Sequence, residues 1–423
     1  MKIAIVNYRY FFSGGPERYL FNIKSILESY GHEVIPFSVK HNKNEPTPSE
    51  KYFLEAIGTG NEIYAGEYNA NSVKDKLKIL ARMLYSFEAK KKFKFFLEET
   101  NPDIIYILYF QHKISCSIIN VAHKMKIPMV QRISDFSLLC PCNIFYRYDI
   151  NEVCELCLHH SKLNSIKYKC VYDSYTYSLI KSIAIDIQQK VRVKKKIDKF
   201  IFPSKFTLSK FVEAGFQKNK LEYLPTLFNS NLINRKLPIE YEKFALYIGR
   251  TDPDKGLMTM LNAFINTDYS LKIIGFSNGD YHNSLIEYTK GKNHNIEFLG
   301  KMDFDEIQLV LSKCLFTIIP SEWYDNLPNT LLESYAFKKC VIATNIGSLS
   351  ENVIENVTGL LFDYKNSNSL REKIEFLFNN PLNAKAMGEK ANHSILDKYS
   401  AENHYNALVK LFNKVINDKK NFK

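Results

Sequence analysis

Short apolar runs alternate with amphipathic segments along the whole chain. The apolar runs have the length of buried strands, whereas the amphipathic segments have the three- to four-residue spacing of helices. The predicted strands are Lys2–Tyr8, Glu33–Val39, Asp103–Leu108, Met129–Ile133, Lys199–Pro203, Phe244–Gly249, Leu271–Gly275, Ile296–Leu299, Leu315–Pro320 and Cys340–Thr344. The predicted helices include Glu17–Ser29, Lys205–Ala214, Asp305–Lys313, Leu327–Phe337 and Ala401–Ile416. Strands that alternate with helices indicate βαβ units, and therefore parallel sheets covered on both faces.

This alternation occurs twice, with an irregular polar stretch between the two halves. A single core rarely grows beyond about 250–300 residues, so a chain of 423 residues is expected to form two domains. We predict an α/β fold of two doubly wound parallel-sheet domains, at 1–225 and 244–398, joined by a linker at 226–243. Residues 399–423 are predicted to form a terminal helix that covers the edge of a core.

The composition excludes several classes of protein. A hydrophobic fraction of 45% and a charged fraction of 24% exclude a disordered or collagen-like chain. No apolar stretch reaches the length of a membrane-spanning helix, and the first residues lack the apolar core of a secretory signal, so a cytoplasmic location is expected. The 57 basic and 45 acidic residues give a net charge of +12, which leaves nucleic acid, acidic lipid and anionic small substrates as candidate partners.

The segment PSEWYDNLPNTLLESYAF (320–337) links a predicted strand to a predicted helix. Open α/β sheets bind ligands at the carboxyl ends of their strands. Pro328 suits the first turn of the helix, and the unpaired amides of the other residues in 326–330 favour an anion such as phosphate. The carboxylates of Asp325 and Glu333, with seven residues between them, suit the hydroxyls of a ribose and a sugar. Alternatively, Asp325 is a helix N-cap and Glu333 a solvated helix residue.

The segment GRTDPDKG follows another predicted strand and runs from Gly249 to Gly256. Its terminal glycines let the backbone approach a ligand closely. Arg250 and Lys255 together would neutralise a departing diphosphate, because a bidentate guanidinium and a compact ammonium complement each other. The alternative is a turn that carries two ordinary surface cations.

The segment SGGPER (13–18) follows the first predicted strand and precedes a helix. Gly14 and Gly15 leave the backbone amides of this loop accessible, so they can bind an anion. The spacing is not G-x-G-x-x-G, so a dinucleotide site is not supported. Taken alone, the two glycines are equally compatible with an ordinary turn.

In this order and at these distances, the three segments resemble those of the family 4 retaining glycosyltransferases of GT-B fold, over most of the chain. The resemblance implies that Gly14 and Gly15 face the acceptor, which makes residues 1–225 the acceptor domain. It also implies that Arg250 and Lys255 neutralise the donor diphosphate. In that family the last helix often returns to cover the first domain, which replaces the simpler expectation for residues 399–423.

The Glu-x7-Glu motif of that family corresponds here to Asp325-x7-Glu333. The resemblance implies that Glu333 holds the ribose and that Asp325, one methylene shorter than the usual Glu, contacts the transferred sugar. The other residues implied to bind the donor are Asn326, Leu327 and Thr330 on the same segment and Gly249 at the neighbouring strand end.

One departure from the family concerns the residue after the strand Met129–Ile133. Family members commonly carry a histidine there, near the transferred sugar, whereas this chain has Ser134. A serine can hydrogen-bond a sugar hydroxyl but cannot carry the charge of an imidazolium. We predict Ser134 as a residue of the catalytic site, with His112 as a nearby polar alternative.

Two Asp-x-Asp pairs raise the question of a catalytic metal. Asp252 and Asp254 are followed at once by Lys255, which is a poor neighbour for a divalent cation. Asp303, the first residue of the other pair, suits the N-cap of the helix that follows. We therefore predict that catalysis requires no cofactor.

Eight cysteines are present, and six of them fall between residues 116 and 170. In a chain expected to be cytoplasmic, such clustering favours metal or redox chemistry over a disulfide framework. The spacing C-x13-C-x2-C-x12-C predicts a structural Zn²⁺ site within an insertion at about 140–170. Its four predicted ligands are Cys140, Cys154, Cys157 and Cys170, with Cys142, His159 and His160 as spare ligands. Free thiols are the alternative.

The basic charge is concentrated in two blocks of the first half. Residues 74–94 contain eight basic and two acidic residues along an apolar stripe at helical spacing, and residues 190–199 contain six basic residues and one acidic residue. The apolar stripe consists of Val73, Leu77, Leu80, Leu84 and Phe87. Basic charge on an amphipathic helix favours an anionic inner-membrane surface, although a solvated helix face is also compatible. No nucleic-acid-binding module is recognised, so nucleic acid is not an expected partner.

The expected function is retaining transfer of a hexosyl or N-acetylhexosaminyl group from a nucleoside-diphosphate-sugar to a glycan or lipid-linked acceptor, in bacterial surface-polysaccharide synthesis. The competing hypothesis is a catalytically weak or silent nucleotide-binding scaffold subunit of a glycan-assembly complex. Ser134 and the shortened Asp325 keep that second hypothesis open.

Overall fold

The chain forms two separate six-stranded sheets, in a computed structural model that describes residues 1–61, 73–230, 233–234, 236–276 and 279–421. The first sheet contains β1 (Lys2–Val6), β2 (Glu33–Phe37), β3 (Ile104–Ile107), β4 (Met129–Arg132), β7 (Lys199–Phe202) and β8 (Leu221–Tyr223). The second contains β9 (Phe244–Ile248), β10 (Ser270–Ile274), β11 (Asn295–Gly300), β12 (Phe316–Ile319), β13 (Val341–Thr344) and β14 (Gly359–Phe362). A small antiparallel hairpin pairs β5 (Tyr146–Arg147) with β6 (Glu152–Val153).

Helices connect these strands and cover both sheets. In the first half they are α1 (Gly15–Ser29), α2 (Val73–Leu84), α3 (Phe87–Thr100), α4 (Ser117–Lys124), α5 (Leu156–His159), α6 (Leu163–Lys167), α7 (Tyr175–Lys190), α8 (Val193–Lys196) and α9 (Lys205–Glu213). In the second half they are α10 (Leu257–Phe264), α11 (Asp280–Thr289), α12 (Phe304–Lys313), α13 (Asn329–Ala336), α14 (Leu349–Asn352), α15 (Ser367–Asn379), α16 (Pro381–Lys398) and α17 (Ala401–Asn421). Short 3₁₀ helices lie at Pro48–Tyr52, Lys218–Lys220 and Pro253–Lys255.

All neighbouring strands within the two large sheets are parallel, as the βαβ pattern predicts. The first sheet has the order β2-β1-β3-β4-β7-β8, and the second has the order β11-β10-β9-β12-β13-β14. The strand order therefore reverses beside β1 in the first sheet and beside β9 in the second. The loops that follow β1 and β9 lie at these switch points, where doubly wound sheets bind ligands. The ten predicted strands are present, whereas β8 and β14 were not predicted.

Alternate side chains of the strands pack on opposite faces of each sheet. On β1, Ala4 and Val6 enter one apolar cluster, and Ile3 and Ile5 enter another. The second of these clusters also contains residues of α17, including Phe412. The terminal helix thus packs against the first sheet, although the chain reaches it from the second domain.

The basic blocks of the first domain have two different environments. In the block 190–199, the ammonium groups of Lys194, Lys196 and Lys199 form hydrogen bonds within the protein, each with a neighbouring segment. Residues 74–94 form two helices, because α2 ends at Leu84 and Ser86 caps α3 by accepting a hydrogen bond from the N–H of Ala89.

No helix in the described part of the chain is long and apolar enough to cross a membrane.

Candidate functional site

The loops that follow β9 and β12 meet at the switch point of the second sheet. The first loop is the Gly249–Gly256 segment, and the second leads from Pro320 to α13. Gly256 has a φ of 69°, and a Cβ at this position would clash with the carbonyl oxygen of Pro320. Only glycine therefore lets the two loops approach this closely. Their contact brings the predicted diphosphate cations to the start of α13.

Lys255 and Asp325 form an ion pair that joins these two loops. The Nζ atom of Lys255 lies 2.8 Å from Oδ2 of Asp325, and both side chains are largely buried. The same ammonium lies 4.8 Å from the centre of the Trp323 ring. The pair holds Lys255 where the two loops meet.

Arg250 is more exposed than Lys255 and pairs with acidic neighbours on its own loop. Its guanidinium contacts Asp252 and lies 3.6 Å from the carboxylate of Asp254. Both carboxylates of this Asp-x-Asp pair are therefore compensated by an arginine. Asp303 of the other pair caps α12 by accepting a hydrogen bond from the N–H of Glu306. Asp303 is therefore the helix N-cap that the sequence predicts.

The helix α13 begins immediately after this meeting point. Its N-cap residue is Pro328, which provides no side-chain cap, so Asp325 is not the N-cap that the alternative interpretation requires. The hydroxyl of Thr330 donates to the carbonyl of Ile248 at the end of β9. Leu327 packs partly into an apolar cluster of the second domain. The first amides of α13 and the segment around Gly249 therefore lie side by side, as an anion site would require.

Asn326 connects the second domain with the first. Its Oδ1 atom accepts a 2.7 Å hydrogen bond from the hydroxyl of Thr207, and its Nδ2 atom donates to the carbonyl of Ile133. The side chain of Asn326 is thus engaged in an interdomain contact. Because the side chain is engaged, the backbone N–H of Asn326 is the group that could bind the sugar donor.

The Gly14-Gly15 segment of the first domain reaches the start of α13. Gly14 is the N-cap of α1, and a Cβ on Gly15 would lie 2.9 Å from Nδ2 of Asn329. Absence of a side chain at Gly15 therefore permits the two helix N-termini to meet. Two segments that are more than 300 residues apart in the chain form one site.

Glu333 lies inside α13 and is buried, which contradicts the alternative of a solvated helix residue. Its carboxylate forms an ion pair with Arg18 of the first domain, whose guanidinium stacks 4.9 Å from the ring centre of Phe304. Burial raises the pKa of Glu333, and the positive charge of Arg18 opposes this shift. The carboxylate predicted to hold a ribose is thus paired with a cation across the cleft.

Ser134 follows β4 and accepts a 2.9 Å hydrogen bond from Arg132. Arg132 also stacks 4.0 Å from the ring centre of Tyr19. The predicted alternative, His112, lies near Lys181, and burial lowers the pKa of its imidazole well below the usual range. Asp135 interacts electrostatically with the same lysine, and burial raises its pKa. This lysine therefore links His112 with the loop that carries Ser134.

A cavity of about 770 Å³ lies where the cysteine-rich insertion meets the β9 loop. Its walls include Cys142, Cys170 and Lys181 from the first domain and Arg250 and Trp323 from the second. Burial lowers the pKa of Lys181 to about 8. The cavity is large enough for a sugar unit, and its lining combines aromatic rings and cations with the carboxylates of Asp149, Asp173 and Asp254, which can accept hydrogen bonds from sugar hydroxyls.

Arg18, Lys181 and Trp323 lie at the site but were not predicted from the sequence. Arg18 lies in the same segment as Gly14 and Gly15, and Trp323 lies in the same segment as Asp325, so proximity in sequence was the only available signal. For Lys181 no such signal existed, because it lies in the middle of α7 among apolar residues.

One group of potential metal ligands is compact in the described part of the chain: the side-chain atoms of Glu155, His159 and Glu213 lie within 4.8 Å of one another. The ammonium of Lys210 lies 2.9 Å from Glu155 and 3.2 Å from Glu213. A lysine at this position already neutralises the carboxylates. This cluster is therefore an ion-pair network at the surface of the insertion.

Comparison with protein families locates a known domain in the second half of the chain. Residues 229–394 match the family model "Glycosyl transferases group 1". An uncharacterized glycosyltransferase of Methanocaldococcus jannaschii is 30% identical over 185 residues, which are 43% of this chain and 51% of the relative. The alignment thus spans about half of that relative's length. An uncharacterized 42.6 kDa protein in the cps region of Klebsiella pneumoniae is 22% identical over 373 residues, covering 83% and 87% of the two chains.

Solved structures resemble the whole molecule. Sucrose-phosphate synthase of Thermosynechococcus elongatus matches with a TM-score of 0.70 at 16% identity, over 99% of both chains. HepE of Anabaena in complex with UDP-glucose matches with a TM-score of 0.65 at 15% identity, over 98% of this chain and 100% of that chain. The predicted GT-B fold is therefore confirmed. The domain that matches the group 1 glycosyl transferases forms the second half of this fold.

Proposed function

We propose that this chain is a retaining glycosyltransferase that transfers a hexosyl or N-acetylhexosaminyl group from a nucleoside-diphosphate-sugar to a hydroxyl group. The observation that carries the proposal is the meeting of three segments, since Gly15 abuts Asn329 and Lys255 pairs with Asp325 beside the same helix. Anion-binding amides, diphosphate cations and a buried carboxylate thus converge at one end of the second sheet. The matched group 1 domain covers these donor-side segments.

In the proposed reaction, the bond between the anomeric carbon and the β-phosphate oxygen breaks. The acceptor oxygen forms its new bond on the same face of the sugar, and the acceptor proton passes to the departing phosphate. Arg250, Lys255 and the first amides of α13 stabilise the charge of that phosphate, because cations and oriented amides are most effective where negative charge develops. A bound diphosphate would compete with Asp252, Asp254 and Asp325 for these two cations, and we propose that the transfer proceeds without a metal.

The donor and the acceptor are assigned by chemistry. Glu333 suits the two hydroxyls of a ribose, and Asp325 and Ser134 suit the hydroxyls of the transferred sugar. HepE, which shares the fold, has been solved with UDP-glucose, which supports a nucleoside-diphosphate-sugar as the donor class. A glycan or lipid-linked acceptor would occupy the cavity beside the cysteine-rich insertion. The Klebsiella relative in the cps region supports a role in surface-polysaccharide synthesis.

We also propose that the protein acts at the cytoplasmic face of an anionic membrane. The support is the predicted apolar stripe, because Val73, Leu77 and Phe87 are 74%, 61% and 73% exposed. Lysines 74, 76 and 91 are exposed on the same two helices. A lipid-linked acceptor would be presented at such a surface.

The experiment for the proposed function begins with a thermal-shift screen of UDP-, GDP-, ADP- and CMP-sugars, because a bound donor stabilises the folded state. Turnover of the selected donor is then compared in wild type, Glu333→Ala and Glu375→Ala. Loss of a charged hydrogen-bonding partner of the ribose should lower kcat/KM by about 10- to 100-fold in Glu333→Ala. Glu375 is exposed on α15 outside the site and serves as the matched control.

The same experiment separates the enzyme from the competing scaffold. Ser134 favours the scaffold, because it cannot supply the charge of the histidine that family members commonly have. Nucleotide binding without hydrolysis or transfer across the donor panel would support a scaffold and contradict the enzyme. Near wild-type turnover in Glu333→Ala would contradict the donor-site assignment itself.

A further inference from the structure

The cavity beside the cysteine-rich insertion has walls from both domains. The insertion and α7 form one side, and the loops that follow β9 and β12 form the other. Arg250 borders the cavity, whereas two further described residues that are assigned to the donor, Lys255 and Glu333, do not line it. The cavity therefore adjoins the proposed donor site without containing it.

Lys181 is a buried cation on the wall of this cavity. It lies in the middle of α7, and 8% of its surface is exposed. Within the part of the chain that the structure describes, its ammonium forms no hydrogen bond or ion pair. Asp135 and the thiols of Cys140 and Cys142 interact with it electrostatically, but Asp135 is held by a 2.9 Å hydrogen bond from the N–H of Ser137. A buried ammonium without a close counter-charge is costly.

Trp323 provides a second hydrogen-bond donor from the other side of the cavity. Its indole Nε1–H is buried and has no acceptor among the described residues. The ammonium of Lys255 lies over the ring, 4.8 Å from its centre, so the N–H at the ring edge is the group that remains to bind a ligand. Buried polar groups are nearly always hydrogen-bonded in folded proteins. Two such donors on the walls of one cavity therefore indicate a ligand that accepts hydrogen bonds.

The acidic side chains on the walls do not supply the missing charge, because each of them lies near another basic residue. The pairs are Asp149 with Arg147 at 2.5 Å, Asp173 with Lys169 at 3.7 Å and Asp254 with Arg250 at 3.6 Å. Among the described cations that line the cavity, Lys181 is the one without such a neighbour. An anion that enters the cavity thus meets one uncompensated positive charge.

We propose that this cavity binds an anionic group of the acceptor, a phosphate or a carboxylate, between the ammonium of Lys181 and the indole N–H of Trp323. Both groups can only donate hydrogen bonds, and the oxygens of such an anion accept several. A neutral sugar hydroxyl could accept from Trp323 but would leave the charge of Lys181 uncompensated. The inference rests on the proposed function, because it specifies the chemical class of the acceptor.

The experiment measures binding of inorganic phosphate to the full-length protein by calorimetric titration. The Kd for phosphate should rise about tenfold or more in Lys181→Met, because a hydrogen bond between two charged groups is lost. Trp323→Phe keeps an aromatic ring and removes the N–H, so it should raise this Kd by about threefold. Lys190→Met is the matched control, because Lys190 is exposed at the end of the same helix, and its Kd should equal that of wild type.

Two further measurements exclude other causes of such a change. Phosphate can also bind at the donor segments, and Lys255→Met removes a cation of that site alone, so the Lys181-dependent binding should persist in this variant. Removal of an uncompensated buried charge should not destabilise the fold, so Lys181→Met without added anion should unfold at the wild-type temperature or above it. A marked loss of thermal stability would show that Asp135 or the thiols already compensate Lys181, and would overturn the proposal.

A comparison of phosphate with glucuronate separates the two sources of the anion. Tighter Lys181-dependent binding of glucuronate would support an acidic sugar in the acceptor, and tighter binding of phosphate would support a phosphate-linked one. Equal affinity of wild type and Lys181→Met for both anions would overturn the proposal, and so would loss of all phosphate binding in Lys255→Met. Lys181-dependent binding without turnover of any donor would retain the anion site and contradict the proposed function.

Discussion

Individual side chains determine what the site between the domains can bind. Ser134 accepts a hydrogen bond from Arg132, so its environment already contains the positive charge that a serine lacks. Lys255 is held by Asp325, which keeps its ammonium at the end of the sheet. In the proposed reaction, three cations compensate for the missing histidine. They are Arg132 and the carboxylate-paired Arg250 and Lys255.

His404 is a buried titratable residue whose protonation should affect stability. Its Nδ1 atom lies 2.8 Å from the carbonyl of Pro225, and its Nε2 atom lies 2.9 Å from the hydroxyl of Tyr19. Nδ1–H must donate to the carbonyl, so Nε2 acts as an acceptor in the neutral form. Burial lowers the pKa of His404 to about 4.

The folded state of the protein should therefore lose stability as the pH falls. Between pH 6.5 and 4 the unfolded chain binds a proton at His404 and the folded chain does not, which favours unfolding by about 2 kcal/mol at pH 5 relative to pH 7. Urea denaturation at both pH values should show this contribution in wild type and not in His404→Gln. His393→Gln, a change at an exposed histidine, is the control. An equal loss of stability in wild type and His404→Gln would refute the assignment.

At the scale of elements, α2 and the start of α3 carry exposed apolar side chains. Residues 74–94 form two helices, so the predicted apolar stripe does not continue along a single helix packed on the core. Instead Arg82 turns inward, where it donates to the carbonyl of Glu55, while Val73 and Leu77 remain exposed. Amphipathic helices with lysines on the polar side and exposed apolar residues are suited to an anionic lipid surface.

Leu77→Glu should weaken binding of the protein to vesicles that contain phosphatidylglycerol. Removal of a leucine from the lipid interface and addition of a negative charge should reduce partitioning by about tenfold, as measured by vesicle cosedimentation. Leu382→Glu, at a leucine exposed on α16 of the second domain, is the matched control. Equal binding of the two variants would exclude α2 as the lipid contact.

At the scale of the whole molecule, polar contacts join the two domains. The carboxylate of Glu351 accepts hydrogen bonds from the N–H groups of Lys205 and Phe206 at the start of α9. Asn326 bonds to Thr207, and Arg18 pairs with Glu333. Polar interfaces of this kind usually permit relative domain movement.

Arg18→Ala should strengthen donor binding, provided that Glu333 holds the ribose as proposed. A donor must displace Arg18 from the buried carboxylate of Glu333, so KM for the donor should fall by about fivefold, with kcat little changed. Arg18→Lys, which keeps the charge, should retain the wild-type KM. Steady-state kinetics with the selected donor test this expectation, and a large increase in KM would show that Arg18 itself binds the donor.

The sequence determined the features that depend on local pattern. Apolar runs between amphipathic segments predicted ten strands and the two doubly wound sheets, because both faces of such strands are buried. Glycines and a proline next to strand ends located the donor segments, since backbone geometry requires those residues. The strands β8 and β14, each at one edge of its sheet, were not predicted.

Only the tertiary structure decided which of these residues meet. The contact of Arg18 with Glu333 joins residues 315 positions apart, and its existence depends on how the two sheets face each other. Cys140 lies in the apolar core of the first domain, whereas Cys142, Cys154, Cys157 and Cys170 are half-buried, a difference that spacing in the sequence does not show. The local sequence pattern indicates the periodicity of helices and strands and the positions of turns. Contacts such as Arg18 with Glu333 arise instead from packing between segments that are distant in the sequence.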